Sequence, residues 1–432
     1  MTTYYIDTEN GNNINNGTSA ATPIADIDKL NINPGDTVLF KRGTYIRGRL
    51  KNICGTEGKP ITYGAYGDGE KPVFCGSSDV SNCAVWTEER KNIWVCTEIQ
   101  DEACNFVFNH TDEFGTLKWS EKELSEQGDF YDNYFGCRTV GNIIGTDHKI
   151  YLYSEENPGE YYKQIECVTY GKRNLADTGH DMIFENLQFV NSGVHAIAGE
   201  SQSRNIKIKN CVFRNIGGCV WDKKQKIRFG NGVEFWNAAD NIEVSQCIFN
   251  NIYDSAVTHQ GSQECEAANN LIFKDNIFIK CGMAAYEQRD VLPKYAEFTG
   301  NICLDAGDGF SKQGEIMPRK SEIWPQPMGH HIFLWRINKP TIDGKLIIKH
   351  NMFLNAPYGA AIYSIISASA EAQIQIESNT YYTENQELLN YFNKKTYHNF
   401  KEYGTEEKYA KYISRYEYSR AVEDINAVCG KS

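Results

Sequence analysis

The chain has 432 residues, of which 41% are hydrophobic, and it carries a formal net charge of −12. The acidic balance argues against a nucleic-acid backbone as partner and weakens the case for a highly acidic polymer. The sequence contains no run of about 18 apolar residues, so we predict that no segment spans a membrane. A chain of this length suggests two globular domains, unless repeated coils extend one core along an axis.

The first residues and the cysteines bear on the cellular compartment. Residues 1–7 contain no basic segment followed by an apolar one, which predicts no secretory signal. The 14 cysteines are spread along the chain and show no zinc-ligand spacing. We therefore predict reduced thiols, no metal site and a cytoplasmic protein, or a secreted one if a signal peptide has been removed.

The two ends of the chain differ from its middle. Residues 1–36 are polar and rich in Gly, Asn and Thr, and strand-like segments follow at 37–45, 60–64 and 71–74. From residue 381 to residue 432 the pattern becomes helical and charged. Polar caps are what the open ends of a stacked sheet require. The sequence thus predicts an N-terminal cap, a central region over residues 37–380 with loop insertions, and a helical C-terminal cap.

A short pattern recurs through the central region: two alternating apolar residues, a polar segment that ends in Asn or Gln, and a second apolar segment. The Asn or Gln positions are Asn186, Asn210, Gln246, Asn276, Asn301, Asn351 and Asn379. Their spacing fits a coil of about 22–25 residues with variable loop insertions. Each copy predicts a strand, a bend at the Asn and a second strand, with alternate side chains inside. The pattern predicts a β-solenoid in which the bend amides form a ladder.

Several segments resemble the right-handed parallel β-helix carbohydrate-active enzymes, the pectate-lyase-like superfamily of polysaccharide lyases and glycoside hydrolases. They are residues 34–74, residues 128–132 with 152–154, and residues 231–235 with 253–260. The last pair is most similar to the β-helix glycoside hydrolases. The resemblance covers roughly residues 1–380 and implies an all-β, right-handed parallel β-helix that acts on glycans. Because this fold carries many chemistries, the site residues need a separate argument.

A third strand is predicted in most coils, with an apolar residue at its second position. Aligned on that residue, the third position holds His195, Glu234, Thr258, Tyr286 and Ser311. The fourth position holds Ala196, Phe235, His259, Glu287 and Lys312. The fifth position holds Trp236, Gln260, Gln288, Gln313 and Arg336. Strict alternation would bury the charged fourth position at high cost, so we predict that the strand bends and that this row faces a cleft.

Three carboxylates are the candidate catalytic residues. Glycoside hydrolysis needs two carboxyl groups, one of them held protonated to donate to the leaving oxygen. Glu234 and Asp254 lie about one coil apart, which would match retention of configuration, and Glu234 and Glu287 lie two coils apart, which would match inversion. Asp254 precedes its strand and could instead cap a turn. The sequence does not assign the acid and the nucleophile among these three.

Other side chains near the predicted cleft suit the binding of sugar hydroxyls and rings. The candidate substrate-binding residues are His195, Trp236, His259, Gln260, Arg289, Lys312 and Trp335. A structural reading is also open, in which Glu287 and Lys312 form an ion pair between coils. Long insertions at 217–230, 261–270 and 314–330 are predicted to form the walls of the cleft.

The predicted function is a glycoside hydrolase without a cofactor that cleaves a plant- or host-derived oligosaccharide or polysaccharide. One alternative is a polysaccharide lyase that acts on a uronate polymer by β-elimination. The related lyases use Ca²⁺ held by acidic residues with Arg or Lys as base, for which Asp305, Asp308, Arg289, Lys312 and Arg228 are candidates. Another alternative is a non-catalytic solenoid that binds glycans.

Overall fold

Short parallel strands stack coil upon coil into three faces around one core. The computed structural model describes residues 1–50, 52–136, 145–171, 174–262, 264–312, 328–384, 390–392, 395–397 and 407–430. Successive coils pair in parallel with a regular register, as the repeat predicts. The chain is a right-handed parallel β-helix, in agreement with the expectation from the sequence.

The three faces are made of the following strands. The first face contains Val233–Trp236, Ser255–Gln260, Ala284–Arg289, His330–Trp335, Ile362–Ile365, Asn390–Phe392 and Lys395–Tyr397. The second face contains Thr3–Ile6, Thr37–Lys41, Ile61–Tyr66, Asp240–Ser245, Asn269–Lys274, Ala296–Thr299, Leu346–Lys349 and Ile374–Glu377. The third face contains Tyr45–Arg47, Val73–Cys75, Gln188–Ser192, Val212–Ile216, Ile248–Ile252, Ile277–Cys281, Ile302–Leu304, Met352–Leu354, Thr380–Tyr382 and Lys411–Tyr412. The long strands Asn174–Glu185 and His195–Lys209 run from the first face to the second.

The core is a continuous column of apolar side chains that point inward from all three faces. Five phenylalanines of the third face stack one above another, with ring centroids 4.5–5.7 Å apart: Phe74, Phe189, Phe213, Phe249 and Phe278. Stacked aromatic pairs stabilise by about 0.5–1.5 kcal/mol each beyond the area that they bury. This column keeps the coils in phase, and so it fixes which residues of the first face become neighbours.

The bend between the second and third faces is two residues wide. The first residue has a left-handed backbone conformation, with φ of 59° at Asn186 and 51° at Asn210. The side-chain amide of Asn210 donates a hydrogen bond to the amide oxygen of Asn186 at 2.7 Å. The second residue is buried, and there the amides of Asn276, Asn301, Asn351 and Asn379 form a ladder with bonds of 2.9–3.1 Å. The predicted ladder is present, but it divides into two adjacent columns.

Residues 77–136 and 145–169 form a folded insertion with mainly antiparallel sheets and a core of its own. One sheet contains Ser77–Asp79, Ala103–Phe108, Glu113–Phe114 and Ile165–Thr169. The other sheet contains Trp86–Arg90, Ile93–Cys96, Thr116–Leu117, Asp129–Asp132 and Ile150–Tyr153. The sequence indicates this segment only as part of the loop insertions within residues 37–380. A separate hairpin, Cys219–Asp222 with Ile227–Phe229, packs against the insertion through Val220.

Among the residues that the structure describes, helices are few, and Ala370 of one of them belongs to the core of the coils. The α-helices are Pro158–Tyr161, Ala368–Glu371 and Arg415–Cys429, and short 3₁₀ helices lie at Ile27–Lys29, Cys83–Val85 and Glu121–Glu123. The helix Arg415–Cys429 begins with a capping box of Ser414 and Glu417, and Ile425 packs on the third face. In the part of the chain that the structure describes, no helix has the length and apolar character needed to cross a bilayer.

Candidate active site

Strand register brings the candidate carboxylates into one line on the first face. Ala198 pairs with Glu234, Glu234 with Thr258, and Thr258 with Glu287. We call this line, from Asp177 to Tyr363, the carboxylate row; its members are Asp177, Ala198, Glu234, Thr258, Glu287, Phe333 and Tyr363. The residues on either side of Glu234, Val233 and Phe235, point into the core, so alternation turns the row outward.

Glu287 is the most enclosed carboxyl group of the row, with an exposed fraction of 1%. Its Oε2 accepts hydrogen bonds from Thr258 Oγ1 at 3.0 Å and Ser255 Oγ at 3.1 Å, and its Oε1 accepts from Trp335 Nε1 at 2.7 Å. Burial raises the pKa of Glu287 to about 7, against the lowering effects of Arg289 and these donors, while the charge of Asp254 raises it further. This carboxyl group can therefore hold a proton near neutral pH.

Glu234 has different surroundings, since each group that its carboxylate contacts among the described residues is a hydrogen-bond donor. Asn231 Nδ2 donates to Oε2, Trp236 Nε1 donates to Oε1, and His195 Nε2 lies 3.6 Å from Oε2. The backbone N–H of Asn231 donates to His195 Nδ1 at 2.9 Å, so the proton of the neutral imidazole is on Nε2, toward Glu234. Donor-only surroundings suit a carboxylate anion that acts as a base or nucleophile.

Asp254 lies in the turn before Ser255–Gln260 and is 7% exposed. Its backbone N–H donates to Gly230 at 3.0 Å, and its carbonyl accepts from Met283 at 3.0 Å, so the turn itself is stacked between coils. Its charge acts on Glu287 strongly enough to raise the pKa of that group. The structure thus brings Asp254 close to the carboxylate row without placing it in the row.

A second outward row runs beside the carboxylates and contains Trp236, Gln260, Arg289 and Trp335. The Arg289 guanidinium lies 5.4 Å from the ring of Trp236 and 5.4 Å from the ring of Trp335. Each indole donates to one of the two glutamates, and Gln260 Nε2 donates to Thr258 at 3.4 Å. The Arg289 cation thus lies between two indole rings, and each ring donates a hydrogen bond to one of the glutamates.

His259 pairs with Phe235 as predicted, but the predicted exposure of its side chain in the cleft is wrong. The structure also corrects the alignment of neighbouring strands, since Ala198, and not His195, lies beside Glu234. Tyr286, and not Ala285, lies beside Val257, which places Glu287 beside Thr258. His259 points into the core, with an exposed fraction of 0%. Its Nε2 donates to the Asn237 carbonyl at 2.8 Å, its Nδ1 accepts from Gln288 at 2.8 Å, and burial lowers its pKa to about 4. The strand does not need to bend, since a neutral, fully bonded histidine fits inside.

Lys312 also lies elsewhere than predicted. Gly309–Lys312 forms a turn, and the strand stacked after Ala284–Arg289 is His330–Trp335. Lys312 donates to Tyr358 and borders a cavity of about 300 Å³ together with Asp112, Phe114, Asn251 and Phe310. The predicted pairing of Lys312 with Glu287 is therefore absent from the carboxylate row. Gln313 and most of the 314–330 insertion lie outside the described residues.

Several contacts within the site are not indicated by the sequence. Asn231 connects three of its members, since its amide donates to Glu234, its backbone N–H donates to His195, and its Oδ1 accepts from Ser255 at 3.0 Å. Trp335 donates to Glu287, a contact that the sequence does not indicate, and its part in sugar binding stays a prediction. Asp177 occupies the row two coils before Glu234. Correct register was the missing signal, because each of these residues becomes visible once the strands are aligned.

The residues proposed for a Ca²⁺ site have other partners. Asp305 Oδ1 accepts from Asn355 at 3.0 Å and from Tyr418 at 3.1 Å. Arg228 is buried and donates to the carbonyls of Gly218 at 2.6 Å and Cys104 at 2.8 Å. Among the residues that the structure describes, no three His, Cys, Asp or Glu side chains converge as metal ligands.

Comparison with known proteins adds sequence and fold similarity. The chain is 35% identical to the lacto-N-biosidase of Bifidobacterium longum subsp. longum over an aligned stretch that covers 18% of this chain and 5% of that protein. The match thus spans a small part of that relative, and no family model matches the chain. Sequence similarity links a segment of the chain to a glycoside hydrolase.

Solved structures extend the comparison over the whole chain. A structure described as a glycoside hydrolase superposes with a TM-score of 0.50 at 9% identity, covering 95% of this chain and 96% of its own. The GH136 lacto-N-biosidase from Eubacterium ramulus gives a TM-score of 0.47 at 15% identity, covering 96% of this chain and 67% of its own. The chain has the fold of the parallel β-helix carbohydrate-active enzymes. The roles of its own residues depend on the geometry of the first face.

Proposed function

We propose that this chain is a glycoside hydrolase that cleaves a plant- or host-derived oligosaccharide or polysaccharide on the first face. The observation that carries the proposal is the pair of glutamates with opposite surroundings. Glu287 is buried and its pKa is raised to about 7, whereas Glu234 faces donors only. A carboxyl group that can hold a proton near neutral pH, close to a second one surrounded by donors, is what an acid and its partner require.

Glu287 is the general acid of the proposed mechanism. Protonated near neutral pH, it donates to the glycosidic oxygen as the bond to the leaving sugar breaks. Glu234 acts as the base that takes a proton from the attacking water. Two strand spacings of about 4.8 Å separate their main chains by about 10 Å, nearer to the inverting range of about 6.5–9.5 Å than to the retaining range of about 5–5.5 Å. The mechanism therefore predicts inversion at the anomeric carbon.

Asp254 supports the acid in this scheme, because its negative charge favours the protonated form of Glu287. The partly exposed aromatic side chains of Trp236, Trp335 and Tyr363 provide ring surface beside the carboxylates. Similarity to a lacto-N-biosidase makes oligosaccharides that contain lacto-N-biose the first substrates to test.

The test is to digest neutral host and plant oligosaccharides and uronate polymers while measuring reducing ends and absorbance near 235 nm. Hydrolysis releases reducing ends without the absorbance, and we expect this result on at least one neutral glycan. Absorbance at 235 nm on a uronate polymer would instead indicate elimination. Binding without any bond cleavage would contradict the proposal in favour of a glycan-binding solenoid. Proton NMR of the first product then reports the anomer, and a retained anomer would make Asp254 the partner of Glu287.

A further inference from the structure

Upstream of Glu234, the carboxylate row continues with a small side chain followed by a second carboxylate. The neighbour of Glu234 in the row is Ala198, and the neighbour of Ala198 is Asp177. Ala198 is partly exposed, whereas Glu234, Thr258 and Glu287 are all buried. Among the described residues, the row thus carries only a methyl group between Asp177 and Glu234, over about two strand spacings or roughly 10 Å, and we call this part of the row the depression.

The far side of this depression is polar. The side chain of Asp177 is 37% exposed and forms an ion pair with Arg49. Its Oδ1 accepts a hydrogen bond from Asn174 Nδ2 at 2.7 Å. Asn174 pairs with His195, the histidine that faces Glu234. The depression therefore lies between Asp177 with Asn174 on one side and Glu234 with His195 on the other.

Asn174 has a hydrogen-bonding capacity that the described residues do not use. The residue is 9% exposed, and its Oδ1 has no hydrogen-bond partner among them. Its Nδ2 is already engaged with Asp177, so the oxygen is the part of the amide left to accept. A buried acceptor without a partner is costly. This oxygen is enclosed beside Asp177, and a turn of the Asn174 side chain would bring it to the hydroxyl or N–H group of a bound ligand.

We propose that the depression over Ala198, bounded by Asn174, Asp177 and Glu234, is a subsite for a neutral, hydroxyl-rich sugar ring. This rests on the proposed function, because it extends the cleft of the same carboxylates. The groups around the depression are mainly acceptors, which match the O–H and N–H donors of a neutral or N-acetylated sugar. The carboxylate of a uronate would lie between the carboxylates of Asp177 and Glu234, and this repulsion, which Arg49 offsets in part, disfavours it.

Calorimetry on a Glu287→Gln background measures binding without turnover. The probes are lactose, lacto-N-biose and xylobiose as neutral sugars, and digalacturonate as the acidic one. We expect at least one neutral disaccharide to bind and digalacturonate to bind more weakly. Ala198→Leu fills the depression and should weaken neutral binding by about tenfold or more, as expected when a hydrogen-bonded ring is displaced.

Asp177→Asn separates charge from shape in the same assay. The amide keeps an oxygen for Asn174 but removes the negative charge and releases Arg49, so digalacturonate binding should rise relative to the neutral sugars. Asp240→Asn, an exposed change on the second face, is the matched control and should alter neither affinity. Thermal melting of every variant shows whether it is folded.

The proposal is overturned if Ala198→Leu leaves the neutral affinity unchanged, if digalacturonate binds best to the parent, or if no disaccharide binds. The proposed function is judged separately, by bond cleavage in the wild-type chain. Cleavage of a neutral glycan that Ala198→Leu does not impair would refute the subsite and leave the hydrolase proposal standing. Neutral sugar binding that depends on Ala198, without cleavage of any glycan, would support the subsite and refute the hydrolase.

Discussion

Glu287 occupies a site where burial and neighbouring charges oppose each other. Burial and the charge of Asp254 raise its pKa, while Arg289 and the donors Trp335 and Thr258 lower it, and the outcome is a pKa of about 7. An exposed glutamate titrates near 4.3. The first face therefore carries an acid whose pKa is near neutral pH. Substituting any of these neighbours should change that pKa.

The first prediction concerns the pH dependence of the wild-type chain. A general acid works only while protonated, so activity is present below the pKa of Glu287 and is lost as the pH rises through it. We expect kcat/KM to fall above about pH 7, measured from about pH 5 to pH 9 on a neutral glycan. A profile that stays flat to about pH 9 would remove Glu287 from the role of acid.

The second prediction uses two neighbours of opposite charge. Asp254→Asn removes a charge that raises the pKa of Glu287, so the basic limb should move to lower pH. Arg289→Met removes a charge that lowers it, so the limb should move to higher pH. Each shift should be about one pH unit. Arg289→Lys keeps the charge and is the matched control for Arg289→Met. Shifts of the same sign in both variants would contradict the electrostatic account.

Residue types were easier to predict from the sequence than residue environments. Glu234, Asp254 and Glu287 were singled out as carboxylates of a glycan site, and the structure brings them together on or beside one row. His259 was placed with them because its polarity argued against burial. In the fold it is neutral and bonded to Asn237 and Gln288, partners that only tertiary structure supplies.

At the scale of the element, the bend between faces explains why the coils can be predicted from the asparagines, and why the predicted single ladder is in fact two columns. Asparagine suits two adjacent positions there, the left-handed one at Asn186 and Asn210 and the buried ladder at Asn276 and Asn301. A pattern that counts asparagines finds the coils but cannot tell the two columns apart. Likewise, Ala285 and Tyr286 are both apolar, and choosing the first displaced its strand by one residue. Such a shift exchanges the faces of every side chain.

The third prediction tests the buried ladder against the exposed one. Asn301 accepts from the backbone N–H of Asn276 at 2.9 Å and donates to the Phe273 carbonyl at 3.0 Å, all within the core. Asn301→Ala leaves these groups without those partners and should lower the free energy of unfolding by about 2–4 kcal/mol. Asn210→Gly removes an exposed side-chain hydrogen bond without straining the left-handed backbone and should cost less than about 1 kcal/mol. Urea denaturation measures both, and equal losses would contradict the ladder's role in stability.

At the scale of the molecule, the coils were predictable and the insertion was not. The coils repeat an apolar pattern that stacking converts into one core. Residues 77–169 carry no such repeat, and their described part folds as mainly antiparallel sheets. The insertion contacts the β-helix through the ion pair of Arg47 with Glu166, with an N–O distance of 2.7 Å, and through the rings of Phe114 and Phe310, whose centroids lie 5.0 Å apart. These contacts join residues far apart in the sequence, and no local pattern indicates them.

The whole account depends on stacked coils that make Glu234 and Glu287 two members of one catalytic row. The direct measurement is the turnover number of Glu234→Gln and Glu287→Gln on a cleaved glycan, with Asp240→Asn as the control and melting temperatures as the check on folding. We predict a loss of about a hundredfold to ten-thousandfold in each glutamate variant and unchanged melting, since acid and base catalysis contribute about that much. Near-wild-type turnover in either folded glutamate variant would contradict the account.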